Sequence, residues 1–266
     1  MFKRCLSWCL LAGIFVAIFG LYIVDSSAQS GIDSYTKLML HADGSDQGTT
    51  FADSETTPKT VTNTESYDSY TKLMLHIENN VTDSAAGKTV TNSNVTFSSS
   101  VYKMGGYSGV FNGSNAYLSL ADSDDWNFGS GDFTIDFWVR FDSLPGDDRL
   151  MGVGGAQYAD NSNLWGFHIM KTSGVYYWYL KAKSGSDIYA HNWSTTVSTG
   201  TWYHIALVKS GNTIQVYQNG VGINSQDATG KTMPDIGGNL MIGRFINENG
   251  VQLDLNGSID EYRISK

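Results

Sequence analysis

The 266-residue chain contains 29 glycines, 3 prolines and 13% aromatic residues, a composition typical of many short strands joined by tight turns. Its formal net charge of −9 argues against nucleic-acid binding and against membrane-surface binding, because phosphate backbones and anionic lipids repel an acidic chain. No helical periodicity is evident after the first thirty residues, so an all-β fold is expected.

Residues 1–28 have the pattern of an export signal. Two basic residues precede an apolar run, Leu10–Val24, and small residues follow at Ser26–Ala28. Cleavage after Ala28 predicts a secreted protein, extracellular or at the cell surface. The alternative is an uncleaved membrane anchor, since the apolar run extended back to Cys5 approaches the length that spans a bilayer. Cys5 and Cys9 both lie in this segment, so the cleaved chain would fold without disulfides.

Residues 29–66 are expected to be an N-terminal arm that carries a duplicated strand unit. The string DSYTKLMLH occurs at Asp33–His41 and again at Asp68–His76, and KTVTN follows at Lys59–Asn63 and Lys88–Asn92. One hypothesis is that the first copy adds a strand to a neighbouring molecule and builds an extracellular filament. The alternative is an appended hairpin or a flexible stalk. The residues that would be donated are Leu38, Met39, Leu40 and His41.

From residue 67 onward, short alternating segments and turn residues indicate a β-sandwich. Phe133–Phe141 alternates apolar and polar residues, which predicts a strand with one buried face. Asn219-Gly220 and Asn256-Gly257 are residues that tolerate the positive φ of tight turns. Further strands are predicted at 110–111, 117–120, 164–170, 175–182, 202–209, 213–218, 239–244 and 258–265.

Five of these segments, in this order, resemble the concanavalin-A-like, laminin-G-like jelly rolls. They are FNGSNAYLSL (111–120), FTIDFWVRF (133–141), TWYHIALVKSGNTIQVYQNG (201–220), LMIGR (240–244) and GSIDEYRIS (257–265). The resemblance implies an antiparallel two-sheet jelly-roll sandwich over residues 67–266. It also implies that the first strand, Leu73–His76, pairs beside residues 259–264 of the last strand.

No catalytic constellation is evident in the sequence. A retaining glycosidase needs two carboxyl groups about 5 Å apart, and Asp260 and Glu261 are adjacent, so a regular strand would point them to opposite faces. Zinc spacings, a Ser-His-Asp arrangement and a phosphate-binding glycine loop are not evident. We therefore expect a non-catalytic binding or adhesion module; the alternative is a glycan-active enzyme of the same fold.

The resemblance also implies a structural Ca²⁺ ion between the early strands and the last one. Its expected ligands are Asp260, Glu78 and a backbone carbonyl near Gly109, because Ca²⁺ prefers carboxylate and carbonyl oxygens. The family's usual Asp after the first strand is replaced here by Glu78-Asn79-Asn80. Solvated turn carboxylates are therefore the alternative interpretation.

A group of aromatic residues in the middle of the domain is the candidate ligand-binding surface. Aromatic rings surrounded by polar groups suit a glycan or a cell-surface partner, and burial in the core is the alternative for each of them. Alternation places Tyr176 and Trp178 on one side of their strand and Tyr177 and Tyr179 on the other. The candidates are Tyr158, Trp165, Tyr176, Trp178, Tyr189 and Trp193.

Overall fold

The computed structural model describes residues 50–52, 60–62, 67–147, 149–157 and 163–266. The chain divides into two compact units, Met1–Glu65 and Ser66–Lys266. The predicted export signal and the residues proposed for strand donation, Leu38–His41, lie outside the described residues. Among the described residues, no helix is long and apolar enough to cross a membrane.

In the first unit, strands β1 (Thr50–Ala52) and β2 (Thr60–Thr62) pair antiparallel. The regular secondary structure of the described part of the second unit consists of strands and one short 3₁₀ turn at Asp124–Trp126. Its strands are β3 (Thr71–Leu75), β4 (Val90–Ser93), β5 (Thr96–Ser98), β6 (Ser108–Asn112), β7 (Tyr117–Leu120), β8 (Phe133–Phe141), β9 (Arg149–Gln157), β10 (Asn163–Thr172), β11 (Val175–Ser184), β12 (Ser186–Thr195), β13 (Trp202–Ser210), β14 (Thr213–Gln218), β15 (Val221–Asp227), β16 (Leu240–Ile242), β17 (Arg244–Ile246), β18 (Gln252–Asp254) and β19 (Asn256–Ser265).

The second unit is a sandwich of two antiparallel sheets, as the sequence predicts. The seven-stranded sheet has the order β12-β11-β10-β9-β16-β7-β4. The eight-stranded sheet has the order β15-β14-β13-β8-β19-β6-β5, and β3 also pairs with β19. Strands distant in sequence are neighbours in both sheets, so the resemblance to a jelly roll is confirmed.

The core lies between the two sheets and follows the predicted alternation. In β8, all five residues at odd positions from Phe133 to Phe141 are buried, whereas Trp138 and Arg140 on the other face are partly exposed. Burial of these side chains stabilises the sandwich, because each fully buried large apolar side chain contributes roughly 1.5–3 kcal/mol. The sandwich therefore has a continuous apolar interior.

The predicted pairing of the first strand with the last strand is confirmed. Residues Leu75, Met74 and Leu73 of β3 lie opposite Tyr262, Arg263 and Ile264 of β19. Both leucines of β3 are fully buried. The second copy of the repeated string therefore fills this position.

Two neighbours of β3 distinguish the second copy from the first. The Tyr67 hydroxyl lies 2.7 Å from His76 Nε2, and Ile77 is 1% exposed within the core. The corresponding residues of the first copy are Ile32 and Ala42. Since neither can replace these contacts, the domain's own second copy is the better fit to the position beside β19.

The segment predicted as one strand at 239–244 is broken in the structure. Gly243, at φ 79°, separates β16 from β17, and a Cβ at this position would lie 2.1 Å from the Phe111 ring. The chain leaves the seven-stranded sheet here. Strands β17 and β18 form a separate hairpin, closed by an ion pair between Arg244 Nε and Asp254 Oδ1 at 2.5 Å.

The hairpin packs on the outer face of the seven-stranded sheet, over β9 and β10, where glycines make room for it. A Cβ added to Gly166 would lie 2.4 Å from the Phe245 ring, and one added to Gly152 would lie 2.5 Å from the Phe245 backbone nitrogen. Phe245 is 1% exposed. The glycines of β9 and β10 therefore let the hairpin approach the sheet more closely than any side chain would allow.

Candidate functional site

Four of the six predicted ligand-binding aromatics belong to the core. Trp165, Trp178, Tyr189 and Trp193 are between 0 and 1% exposed. The Trp178 ring stacks on a buried phenylalanine, and its Nε1 donates to Gln218 Oε1 at 3.0 Å. The prediction of these four residues as a binding surface is wrong, because rings with no accessible face cannot stack on a ligand.

Of the remaining two candidates, the structure describes only Tyr176. Tyr176 is partly buried and packs against the core, and Lys171 Nζ lies 5.2 Å from its ring centroid. Tyr158 lies outside the described residues. The interpretation of this aromatic group as core, which the sequence left open, holds for the residues that the structure describes.

The opposite side of β11 carries the partly exposed aromatic pair that the sequence did not select. Tyr177 and Tyr179 alternate with buried Trp178 and Leu180, so they point away from the core. The two tyrosines are two positions apart along the strand, a distance of about 7 Å. We call Tyr177 and Tyr179 the tyrosine pair.

Polar side chains from the edge strand β12 flank the tyrosine pair. Ser194 lies opposite Tyr177 and Asn192 lies opposite Tyr179, and both are exposed. Side chains of directly opposed residues share one face of a sheet. The outer face of β11 and β12 therefore combines two aromatic rings with a hydroxyl and an amide.

One end of the tyrosine pair adjoins a groove of about 530 Å³ at the rim of the sandwich. Gln218 is fixed in the groove because its Oε1 accepts from Thr195 Oγ1 at 2.6 Å and its Nε2 donates to the Thr196 carbonyl at 3.1 Å. Two exposed valines, Val175 and Val221, also line it. The full lining is Val175, Ser194, Thr195, Thr196, Gln218, Asn219, Val221 and Ile223.

The other end of the tyrosine pair meets a group of charges. Lys181 Nζ lies 2.7 Å from Asp187 Oδ2 and 3.5 Å from Glu248 Oε2. Burial lowers the pKa of Lys181, but the Asp187 hydrogen bond and the nearby negative charges raise it more, so the net shift is upward. Burial raises the pKa of Tyr179; the Lys181 charge opposes this shift, and the charges of Asp187 and Glu248 add to it. Lys181 therefore stays charged and Tyr179 stays a neutral hydrogen-bonding phenol at physiological pH.

His168 lies between the tyrosine pair and the hairpin. Its ring stacks on Phe245 at 5.3 Å between centroids and lies 4.9 Å from the Tyr179 ring. Neither ring nitrogen has a hydrogen-bond partner, and the side chain is buried. Burial, with a smaller contribution from the Lys181 charge, lowers the pKa of His168 to about 3, so this histidine is neutral.

The residues predicted to hold calcium lie around one loop, residues 101–107, and differ in how they contact it. Asp260 Oδ2 accepts from the backbone N–H groups of Lys103 and Met104 at 2.8 and 3.0 Å, while its Oδ1 is buried without a hydrogen-bond partner. Glu78 accepts from the N–H of Gly106 at 2.8 Å. Gly109 lies in β6 opposite Ile259, the residue before Asp260.

Asp260 is the residue of this group that suits a cation. Burial raises the pKa of Asp260 to about 6, the Met104 and Lys103 N–H groups oppose the shift, and the negative charges of Glu261 and Glu78 add to it. Within the described part of the chain, no three His, Cys, Asp or Glu side chains lie close enough together to form a metal site. A cation would therefore depend on Asp260 Oδ1, Glu78 and carbonyl oxygens.

The expectation that Asp260 and Glu261 point to opposite faces assumed a regular strand, and β19 is not regular there. Its register against β8 shifts between Asp260 and Arg263, and Glu261 has φ 52°. In this bulge Glu261 turns to His76, whose Nδ1 lies 2.8 Å from Glu261 Oε2. Alternation therefore fails at the two carboxylates, and a bulge was not evident from the sequence.

Three solved structures share this fold at low sequence identity. One is domain 4 of an extracellular GH43 arabinanase from Geobacillus stearothermophilus, in complex with arabinotriose, with a TM-score of 0.54, 17% identity and coverage of 74% of this chain and 92% of that one. Another is the binding domain of Paraclostridial Mosquitocidal Protein 1, with a TM-score of 0.56, 18% identity and coverage of 74% and 48%. The third is a botulinum neurotoxin type C structure whose cell entry depends on interaction with two ganglioside molecules, with a TM-score of 0.53, 16% identity and coverage of 74% and 47%.

The chain spans about half the length of the two toxin structures. At these identities the likeness shows the fold. A comparison with curated protein sequences found no match. A laminin-G-like family model matches residues 112–266, more than half of the chain. The order of strands, the buried alternation and this match together show that the chain belongs to the concanavalin A-like lectin/glucanases superfamily.

Proposed function

We propose that the chain is a non-catalytic glycan-binding module whose binding surface is the tyrosine pair with the adjoining groove. The observation that carries the proposal is the outer face of β11 and β12, where Tyr177 and Tyr179 lie beside exposed Ser194 and Asn192. Sugars present apolar ring faces and polar hydroxyls together. Aromatic rings with nearby hydroxyl and amide groups complement both.

The structural relatives support this choice of ligand class. The arabinanase domain was solved with arabinotriose, and cell entry of the botulinum neurotoxin depends on interaction with two ganglioside molecules. Because fold alone does not determine function, the proposal depends on the site itself. The groove of about 530 Å³ falls within the range of small-molecule sites, and hydroxyl and amide groups line much of it.

Binding to a glycan array, to arabinotriose and to ganglioside-containing liposomes tests the proposal. We expect Tyr177→Ala and Tyr179→Ala each to weaken the binding of any recognised glycan by at least about tenfold, equivalent to 1.4 kcal/mol. Tyr70→Ala is the matched control, since Tyr70 is 67% exposed and lies outside the site. Binding that survives in both β11 variants, or no binding to any probe, would refute the proposal.

We also propose that a structural Ca²⁺ ion binds beside β19, where it supplies a partner for the buried Asp260 Oδ1. The support is the orphaned carboxylate oxygen together with the nearby Glu78 carboxylate. Glu78 is already held by the Gly106 N–H. The residues present therefore fit a weak site completed by carbonyl oxygens and water.

The expected location of this module is outside the cell or at the cell surface. The support is the pattern of basic, apolar and small residues in 1–28. Fractionation of the producing cells, with N-terminal sequencing of the recovered protein, tests the location. An N-terminus at Gln29 is expected, and an intact Met1 in the membrane fraction would favour anchoring.

A further inference from the structure

The outer face of the seven-stranded sheet is divided by the β17–β18 hairpin. In the strand order β12-β11-β10-β9-β16-β7-β4, the hairpin packs over the central strand β9 and the adjoining β10. The tyrosine pair and Ser194 lie on one side of it, on β11 and β12. A ligand on the tyrosine pair therefore cannot run straight across the sheet.

The hairpin is a fixed part of the structure. Phe245 packs into the space left by Gly152 and Gly166 and stacks on His168, and it is 1% exposed. Arg244 pairs with Asp254, donates to the Ser114 carbonyl at 3.2 Å and lies 4.1 Å above a tyrosine ring. Displacing the hairpin would break the contacts of Arg244 with the Ser114 carbonyl and the tyrosine ring and would expose the buried Phe245 ring, so displacement by a ligand is energetically costly.

The tip of the hairpin reaches β11 at Lys181, next to the tyrosine pair. Glu248, in the turn after β17, lies 3.5 Å from Lys181 on β11, two residues beyond Tyr179. The turn is ordered by Asn247, whose Oδ1 accepts from the N–H groups of Asn249 and Val251 at 3.0 Å each. The candidate binding surface, which runs from the groove along the tyrosine pair, therefore ends at Lys181 and Glu248.

We propose that the hairpin makes the site selective for the ends of glycan chains. It would bind terminal sugar units or short branches and exclude internal segments of a long polysaccharide. This inference rests on the proposed function, because it names the part of a glycan that fits the tyrosine pair. A chain end enters along β11 from the groove, and continuation beyond Tyr179 meets Glu248 and the hairpin.

The test uses an array of synthetic glycans that presents each disaccharide unit both at the non-reducing end and inside a longer chain. For the full chain we expect binding to the internal unit to be at least about tenfold weaker than to the terminal unit. A variant in which residues 247–251 are replaced by Asn-Gly, a sequence that suits a two-residue turn, should reduce this preference. Asn249→Ala keeps the tip length and serves as the matched control.

The outcomes separate this inference from the proposed function. Equal binding to internal and terminal units by the native chain overturns chain-end selectivity and leaves glycan binding intact. An unchanged preference in a folded short-hairpin variant, checked by thermal melting, overturns the role of the hairpin. If that variant does not fold, Glu248→Ala replaces it and should reduce the preference, since this side chain is 38% exposed and is the part of the hairpin beside Lys181. No binding to any glycan overturns both proposals.

Discussion

His168 provides a direct test of the packing between the hairpin and the seven-stranded sheet. The change is His168→Phe, which keeps an aromatic ring between Phe245 and Tyr179 and removes two nitrogens that have no hydrogen-bond partner. Unsatisfied buried polar groups destabilise a fold by about 1–3 kcal/mol. We therefore expect the variant to be at least as stable as the native chain at pH 8.

The pH dependence distinguishes the native chain from the variant. The pKa of His168 is lowered from its usual 6.5 to about 3 in the folded chain, so between these values the unfolded chain binds a proton that the folded chain does not. The free energy of unfolding is therefore unaffected by this histidine above pH 6.5 and decreases as the pH falls below 6.5, because protonation favours the unfolded chain. At pH 5 the loss is about 2 kcal/mol, from 1.5 pH units at 1.36 kcal/mol each.

Urea denaturation at pH 8 and at pH 5 measures this difference. The native chain and His168→Phe share every other titrating group, so the difference between their pH dependences isolates His168. We expect the advantage of the variant to grow by about 2 kcal/mol from pH 8 to pH 5. Equal pH dependence in the two proteins, within about 0.5 kcal/mol, would show that His168 is not buried beneath the hairpin.

Three further predictions concern other parts of the domain. Calcium should raise the melting temperature of the native chain but not of Asp260→Asn. The native chain should gain about 2.7 kcal/mol in its free energy of unfolding when the calcium concentration is a hundred times the Kd. An equal effect on both proteins would exclude Asp260 as a ligand. Gly166→Ala should destabilise the fold by about 1–3 kcal/mol in urea titrations, because its Cβ would lie 2.4 Å from the Phe245 ring; native stability would contradict this packing. The last prediction uses a chain in which Cys5 and Cys9 are replaced by Ser. Here the pair Met74→Cys and Arg263→Cys should form an internal disulfide, since these residues are cross-strand partners, whereas the pair Met39→Cys and Arg263→Cys should form none. Disulfide-linked dimers of the Met39→Cys, Arg263→Cys variant on non-reducing gels would instead support strand exchange.

Strand positions were predictable wherever one face of a strand is buried. The alternation from Phe133 to Phe141 determines both the limits of β8 and its inner face. By contrast, β12 was not predicted, because Ser186–Thr195 mixes exposed and buried residues with polar side chains on both faces. An edge strand with few apolar residues carries a weak periodic signal.

The inner side of β11 could not be decided from the sequence. Tyr176 and Trp178 alternate with Tyr177 and Tyr179, so both sides of the strand are aromatic and the period-two rule permits either orientation. The register of β11 against β10 and β12 places Trp178 between Ile169 and Trp193 in the core. The sequence therefore showed that one of the two aromatic sides of β11 faces outward, but only the register of the neighbouring strands showed that it is the side of Tyr177 and Tyr179.

The sequence by itself determined the fold class, because alternation and turn residues are local properties of the chain. The family and the pairing of Leu73–Leu75 with the last strand were implied by the resemblance of five segments to known jelly rolls. The tertiary structure alone decided the outward direction of Tyr177 and Tyr179, the bulge at Glu261 and the packing of Phe245 against Gly166. Each of these depends on contacts between residues far apart in sequence. Such contacts leave no periodic signal along the chain, so they become visible only when the two sheets and the hairpin are in place.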